Sequence, residues 1–183
     1  MKKIFSKLIL KIMGWNISSP FPNFKKYIIV FAPHTSSWDF IIGRCFAYTL
    51  QIQPNYLVKS ELFFWPLSLL IKRNGGIPVY RKTGERMVDQ VVERIKKLDK
   101  IILAIAPEGT RKKVKKWKTG FYYIAQKAEV PVALVFMDYS KKEVGIFDVL
   151  YPSDDLQNDL RTIENYYKEV KGRNPKQFNP KIY

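Results

Sequence analysis

A single histidine and a single cysteine limit the chemistry open to this 183-residue chain. One cysteine cannot form an intramolecular disulfide, which suits a reducing compartment. One of each also argues against a structural zinc site, which needs about four such ligands, and no metal site is expected. Acidic residues are scarce as well: 16 Asp and Glu stand against 32 Lys and Arg, a net charge of +16. Such a surface attracts polyanions, whether nucleic acid, an anionic membrane or an acidic carrier protein. Aromatics make up 15% of the chain and many lie among lysines, a mixture found at membrane interfaces and on single-strand nucleic-acid platforms.

Long apolar runs are missing too. The longest, "LFFWPLSLLI", is about half of the roughly 20 residues that a membrane span needs. "MKKIFSKLILKIMGW" is basic and apolar, but Lys7 and Lys11 interrupt it and no small-residue cleavage site follows, so it does not read as a secretory signal. Lys3, Lys7 and Lys11 share one helical face, and Phe5, Leu8, Ile9, Ile12 and Met13 lie on the other side. This pattern predicts an amphipathic helix lying in a membrane surface; the competing reading is a helix docked on the protein's own core. No internal repeat is present.

The length predicts one domain, large enough to bury its own core. Residues 1–20 form the amphipathic helix and a Pro/Ser turn, 21–172 the main domain, and 173–183 an extended tail. "YIIVFA" (27–32), "IILAIA" (101–106) and "PVALVFM" (131–137) read as fully buried strands. "NYLVK" (55–59), "IPVYR" (77–81) and "VGIFDVLY" (144–151) are further strands. Helices are predicted over 37–50, 60–74 with Pro66 kinking it or opening a second helix, 84–100, 119–130 and 154–170. In the third of these regions Met87, Val88, Val91, Val92, Ile95 and Leu98 keep a 3.6-residue period. Alternating helices and wholly apolar strands predict an α/β fold: a mostly parallel, largely buried sheet flanked by helices. Sites in such folds lie at the carboxyl ends of strands.

The lone histidine falls there. His34 follows the strand 27–32 in "APHTSSWDF", with Asp39 five positions on. Ser36 and Asp39 make a capping-box-like pair, which puts Asp39 in the first turn of a helix, where ionisation is favoured. A carboxylate holding Nδ1–H of an imidazole leaves Nε2 as a general base. The bland alternative is a structural histidine beside a capping aspartate. "APEGTR" places Glu108, Gly109, Thr110 and Arg111 after another buried strand, and Arg81 ends a third. The two arginines suit phosphate; otherwise they are solvated charges and Glu108 pairs with one of them. "RKKVKKWK" (111–118) has the composition of a nucleic-acid-binding run, but no recognised nucleic-acid-binding pattern accompanies it. Phe63, Phe64 and Trp65 have three possible fates: membrane insertion, a tunnel lining, or core.

"HTSSWD", "GGIPVYR", "PEGTR" and "VPVAL", in this order from His34 to Leu134, resemble the four blocks of the glycerolipid acyltransferases of the lysophosphatidic acid acyltransferase type. "KTGF" (118–121) resembles their usual lysine and glycine after the third block. The resemblance implies a membrane-associated enzyme that moves a fatty acyl group from a thioester, acyl-CoA or acyl-carrier protein, to a lysophospholipid hydroxyl. The expected acceptor is 1-acylglycerol 3-phosphate; a lyso-aminolipid or another alcohol or amine is the alternative, because Pro78 and Tyr80 stand where many relatives carry an aromatic and an acid. It implies that His34 is the base, oriented by Asp39, that Arg81 binds the acceptor phosphate, that Glu108, Gly109, Thr110, Arg111 and Lys118 shape the substrate site, and that Pro131 is structural or lines the acyl site. No covalent acyl-enzyme is implied, and Cys45, inside a predicted helix, is not expected to be a nucleophile. No cofactor beyond the thioester substrate is expected. The partners are the lipid acceptor, the acyl donor and an anionic membrane surface, with no nucleic acid, and the place is the cytoplasmic face of the inner or plasma membrane.

Overall fold

The apolar strands assemble because each can bury both of its faces. In the computed structural model, which describes residues 1–80 and 87–182, β1 (Asn16–Ile17), β2 (Lys26–Ala32), β3 (Asn55–Lys59), β4 (Gly76–Val79), β5 (Ile101–Ile105), β6 (Val132–Asp138) and β7 (Glu143–Leu150) form one sheet in the order β1-β7-β6-β2-β5-β3-β4. All pairings are parallel except β6 with β7. The fold is a single α/β domain with a mostly parallel sheet, as expected. β1, a two-residue strand inside the predicted turn region, was not legible because it is too short to show a period.

Side-chain alternation along β2 explains its unbroken apolar run. Ile28, Val30 and Ala32 enter one core with Val91, Val92 and Ile95 of α4 (Met87–Lys97), Phe121 and Ile124 of α5 (Gly120–Ala128), and Leu160, Ile163 and Tyr167 of α6 (Leu156–Tyr167). Tyr27 and Ile29 enter the opposite core with Ile42 and Phe46 of α2 (Trp38–Leu50), and with Leu10 of α1 (Lys2–Ile12) and the adjoining Trp15. Helices therefore cover both faces of the sheet. Each fully buried aliphatic side chain of this size stabilises by roughly 1.5–3 kcal/mol relative to exposure.

The structure chooses between some expectations and corrects others. The helix predicted over 60–74 is a 3-10 turn at Ser60–Leu62 and a separate α3 at Leu67–Arg73, with Pro66 as its N-cap. Proline has no N–H to donate, so it opens the second helix and does not continue the first. Gly75, at φ +86°, closes α3 where a side chain would be strained. The helix predicted over 84–100 ends at Lys97, and Leu98 is exposed. Asp155 caps α6 by accepting from Asn158 N at 3.0 Å.

The last residues are structural parts of the domain. They run extended apart from a 3-10 turn at Pro175–Gln177, and Ile182 is buried in the core. Trp117, also buried, donates from its indole to Asn179 O at 2.7 Å and from its backbone to Lys181 O at 3.0 Å. The N-terminal helix likewise serves the core: Ser6 and Leu10 face inward, while Ile4, Phe5, Leu8 and Ile12 remain exposed.

Tyr167 is fully buried, and its hydroxyl lies 3.0 Å from both Val30 O and Val135 O. One polar atom thereby ties α6 to two adjacent strands. Tyr167→Phe is expected to keep the fold and to lose about 1–2 kcal/mol of stability, read from the urea midpoint at unchanged slope. A midpoint equal to that of wild type would show that these strands do not depend on the hydroxyl.

Candidate active site

β2 lies between β5 and β6, so the loops leaving these three parallel strands meet at one edge of the sheet. His34 leaves β2, Glu108 leaves β5, and Tyr139 leaves β6. Sequence separations of about 70 and 100 residues vanish because the crossovers return each strand to the same side.

Asp39 is in the first turn of α2 with a fully buried side chain. Its Oδ2 accepts from Thr35 N and Ser36 N, each at 2.8 Å, and its Oδ1 accepts from the Tyr139 hydroxyl at 2.6 Å. Half of the expected capping box is present, since the carboxylate reaches back to Ser36 N. The Ser36 hydroxyl accepts from Trp38 N at 3.2 Å. Burial alone would raise the Asp39 carboxyl, but the His34 ring, the Tyr139 hydroxyl and Ser36 N–H outweigh it and hold the group below its ordinary value. Asp39 is thus an ionised, acceptor-only group.

His34 Nδ1 lies 3.2 Å from Asp39 Oδ2. The two atoms are within reach, but their alignment falls short of a hydrogen bond, and buried Nδ1 has no other partner among the described residues. Facing a carboxylate that can only accept, Nδ1 must carry the hydrogen. Nε2 is then the nitrogen available to a ligand. Apo sites commonly hold such pairs loosely and tighten them on binding.

Glu108 occupies a different place from the one expected. It is buried under the loop and is not among the residues lining the adjoining cavity. Its Oε1 accepts from His34 N at 2.7 Å, while Oε2 has no partner among the described residues. Burial pushes its carboxyl up to about 7, opposed by the His34 N–H and reinforced by the charge on Asp39. It holds the histidine's backbone and does not pair with Arg111, which turns instead to the Ser37 hydroxyl and bridges the two loops. Gly109 has φ +65°, and a Cβ there would meet Lys118 Nζ at 3.1 Å. Glycine lets Lys118 lie across the loop, and Lys118 N donates to Pro107 O at 2.9 Å.

His34, Asp39, Gly109, Thr110, Arg111 and Lys118 all line one cavity of about 1290 Å³. Phe31, Phe46, Leu50, Leu57 and Ile105 continue it as an apolar chamber. Arg81 lies outside the described residues. Pro131 sits at the opposite end of β6, where its carbonyl accepts from Ile28 N at 2.9 Å, so it serves the sheet and not the site. Phe64 and Trp65 are 56% and 80% exposed, which excludes the core reading for both, and neither lines the cavity. Cys45 is buried in α2, and burial pushes its thiol up, as expected of an inert cysteine.

The sequence reading missed the clamp behind the loop. Asn174 donates from its backbone to Thr35 Oγ1 at 3.2 Å and from its side chain to Thr35 O at 2.9 Å. With its amide nitrogen facing these carbonyls, Gln177 donates to Arg111 O at 2.9 Å and to Thr35 O at 3.0 Å. A Cβ on Gly172 would meet Thr35 Oγ1 at 2.7 Å. The amides in "NPKQFN" were the available signal, but nothing in the sequence says which loop they meet.

A raised acid is protonated in the folded state while its unfolded counterpart is ionised. Between about 4.5 and about 7, Glu108 therefore makes stability fall as pH rises, by up to about 3 kcal/mol in total. Glu108→Gln keeps an acceptor for His34 N and removes this titration. The stability gap between wild type and variant is expected to move in favour of glutamine from pH 5 to pH 7.5. Parallel urea profiles for the two proteins across that range would contradict the buried proton.

The family model described as Acyltransferase matches residues 16–138. The crystal structure of the 1-acyl-sn-glycerophosphate (LPA) acyltransferase PlsC from Thermotoga maritima superposes with a TM-score of 0.63 at 20% identity, covering 90% of this chain and 74% of that one. No curated protein sequence matches the chain. The matched span holds the histidine loop, the glutamate loop and Tyr139's supporting strand β6, and on this match the chain belongs to the acyltransferase family and is an acyltransferase enzyme.

Proposed function

We propose that this enzyme moves a fatty acyl group from a thioester to the hydroxyl of a lysophospholipid-type acceptor, with 1-acylglycerol 3-phosphate as the acceptor and phosphatidic acid as the product. The carrying observation is a buried carboxylate and an imidazole at the head of a large cavity that is apolar in depth and cationic at its entrance. The chamber suits acyl chains. Arg111 and Lys118, both exposed, suit a phosphate on the acceptor or donor. His34 Nε2 takes the proton from the acceptor hydroxyl as its oxygen attacks the thioester carbonyl. The tetrahedral adduct then collapses, the C–S bond breaks, and the imidazolium returns the proton to the departing thiolate. Asp39 stabilises the imidazolium between the two steps. Acyl-CoA and acyl-carrier protein both meet these requirements as donors, and Arg81 is a further candidate for the acceptor phosphate. No cofactor or metal enters this scheme.

The reading extends to a membrane surface. Ile4, Phe5, Leu8 and Ile12 form an exposed apolar stripe on α1, flanked by Lys3, Lys7 and Lys11. Phe64, Trp65, Leu69 and Leu70 make a second exposed apolar group at and before α3. No helix among the described residues is long and apolar enough to cross a membrane. Peripheral attachment to an anionic leaflet, the cytoplasmic face of the inner or plasma membrane, fits these features, with each Lys or Arg near the surface adding about 1 kcal/mol.

His34→Ala is expected to slow thiol release from an acyl thioester, with lysophosphatidate as acceptor, by about 10² to 10⁴-fold while the protein stays folded. Equal rates in the two proteins would remove His34 as the base. Phe5→Ser, Leu8→Ser and Ile12→Ser together are expected to weaken binding to anionic vesicles by at least about tenfold with little change in Tm, because these side chains are exposed and belong to neither buried core. Unchanged vesicle binding, or retention on nucleic acid in its place, would count against the interfacial helix.

A further inference from the structure

We infer that Tyr139 is a positioning residue for the catalytic pair: its hydroxyl fixes the outer oxygen of Asp39 so that the inner oxygen stays on His34. The inference deepens the acyl-transfer reading and rests on it only for its kinetic part. The Tyr139 hydroxyl to Asp39 Oδ1 contact, at 2.6 Å, is the shortest bond the carboxylate makes. It is also the only side-chain contact to Oδ1 among the described residues. Oδ2 is shared among Thr35 N, Ser36 N and His34 Nδ1. With Oδ1 unheld, the carboxylate could turn about its last torsion and carry Oδ2 off the imidazole.

The direction of the phenol hydrogen is determined by its neighbours. Asp39 is ionised and can only accept. The Arg173 guanidinium stands beside the phenol oxygen and can only donate. The hydrogen therefore points to Asp39. Burial, reinforced by the Asp39 charge, pushes the phenol far up, so Tyr139 stays neutral and does not compete with His34 as a base.

The ring is held as firmly as the hydroxyl. Trp15 packs edge-on against it at 4.9 Å, and Tyr139 N donates to Lys171 O at 2.8 Å. Arg173 in turn lies over Trp38, 5.1 Å from the ring centroid, at the first position of α2. The phenol is thus pinned by the N-terminal segment, the C-terminal tail and the helix that carries its target. Among the described residues, the charged and titratable groups around the pair include Glu108 from the β5 loop, Arg111 through Ser37, Lys118 on the same cavity, Tyr139, and Arg173 from the tail.

Because His34 is the only histidine, its ring signals in an NMR spectrum are unambiguous without any substrate. The experiment is Tyr139→Phe, which keeps the ring against Trp15 and deletes the donor. In the neutral ring the ¹⁵N shifts of Nδ1 and Nε2 are expected to be well separated in wild type, with the hydrogen on Nδ1, and to move toward each other in the variant as the carboxylate leaves Nδ1 and the second tautomer appears. In thiol-release assays kcat is expected to fall about tenfold, with KM for donor and acceptor within twofold. Tm should change by only a few degrees. Ring ¹⁵N shifts that overlay those of wild type overturn the inference, whatever the kinetics. A large fall in Tm with those shifts unmoved also overturns it, assigning Tyr139 to packing alone. The spectrum needs no catalysis, so a wild-type protein inactive with every acceptor would defeat the acyl-transfer reading and leave this result standing.

Discussion

One buried negative charge organises the site. The Asp39 carboxylate has no exposed surface, and removing a carboxylate from water costs several kcal/mol unless strong donors surround it. Two backbone N–H groups and a phenol meet that requirement, with the His34 imidazole 3.2 Å away. Those donors come from the loop after β2 and from the end of β6, and the carboxylate itself belongs to α2. Satisfying Asp39 therefore assembles three parts of the chain, and His34 is held in place as one consequence.

The second carboxylate answers to the first. Glu108 lies close enough to Asp39 to feel its charge, and it is buried with one oxygen unpartnered. Two such groups cannot both be ionised cheaply, so their environments separate them: Asp39 is held down by donors and Glu108 is pushed up by burial. An acid near neutrality beneath the histidine loop links its protonation to the position of the His34 backbone. The glycine that follows, with its positive φ, lets the loop turn outward so that Thr110, Arg111 and Lys118 reach the cavity while Glu108 stays below.

Both chain ends contribute to this arrangement. The N-terminal helix packs Leu10 and the adjoining Trp15 into the core while exposing an apolar stripe, and Trp15 touches Tyr139. The tail clamps Thr35 and Arg111 through Asn174 and Gln177. The membrane-facing element of the proposed function is thus one side chain removed from the residue that holds Asp39.

The sequence by itself determined every described strand except the two-residue β1, most of the helices and the identity of the two polar loops. Continuous apolar runs such as "YIIVFA" can be satisfied only between two layers, and a lone histidine followed by an aspartate at a helix start is a local pattern. Local patterns are legible because their partners lie within a few residues. Pro66, ambiguous between kink and start, needed the fold, since both outcomes obey the same backbone rule. Tertiary structure alone decided that Glu108 supports His34 from beneath and that Arg111 turns to Ser37. It also decided that Tyr139 completes the shell of Asp39 and that the tail belongs to the domain. Each of these contacts joins residues on separate strands, loops or chain ends. Their meeting depends on the strand order, which places β2 between β5 and β6, and no residue spacing along the chain encodes that order.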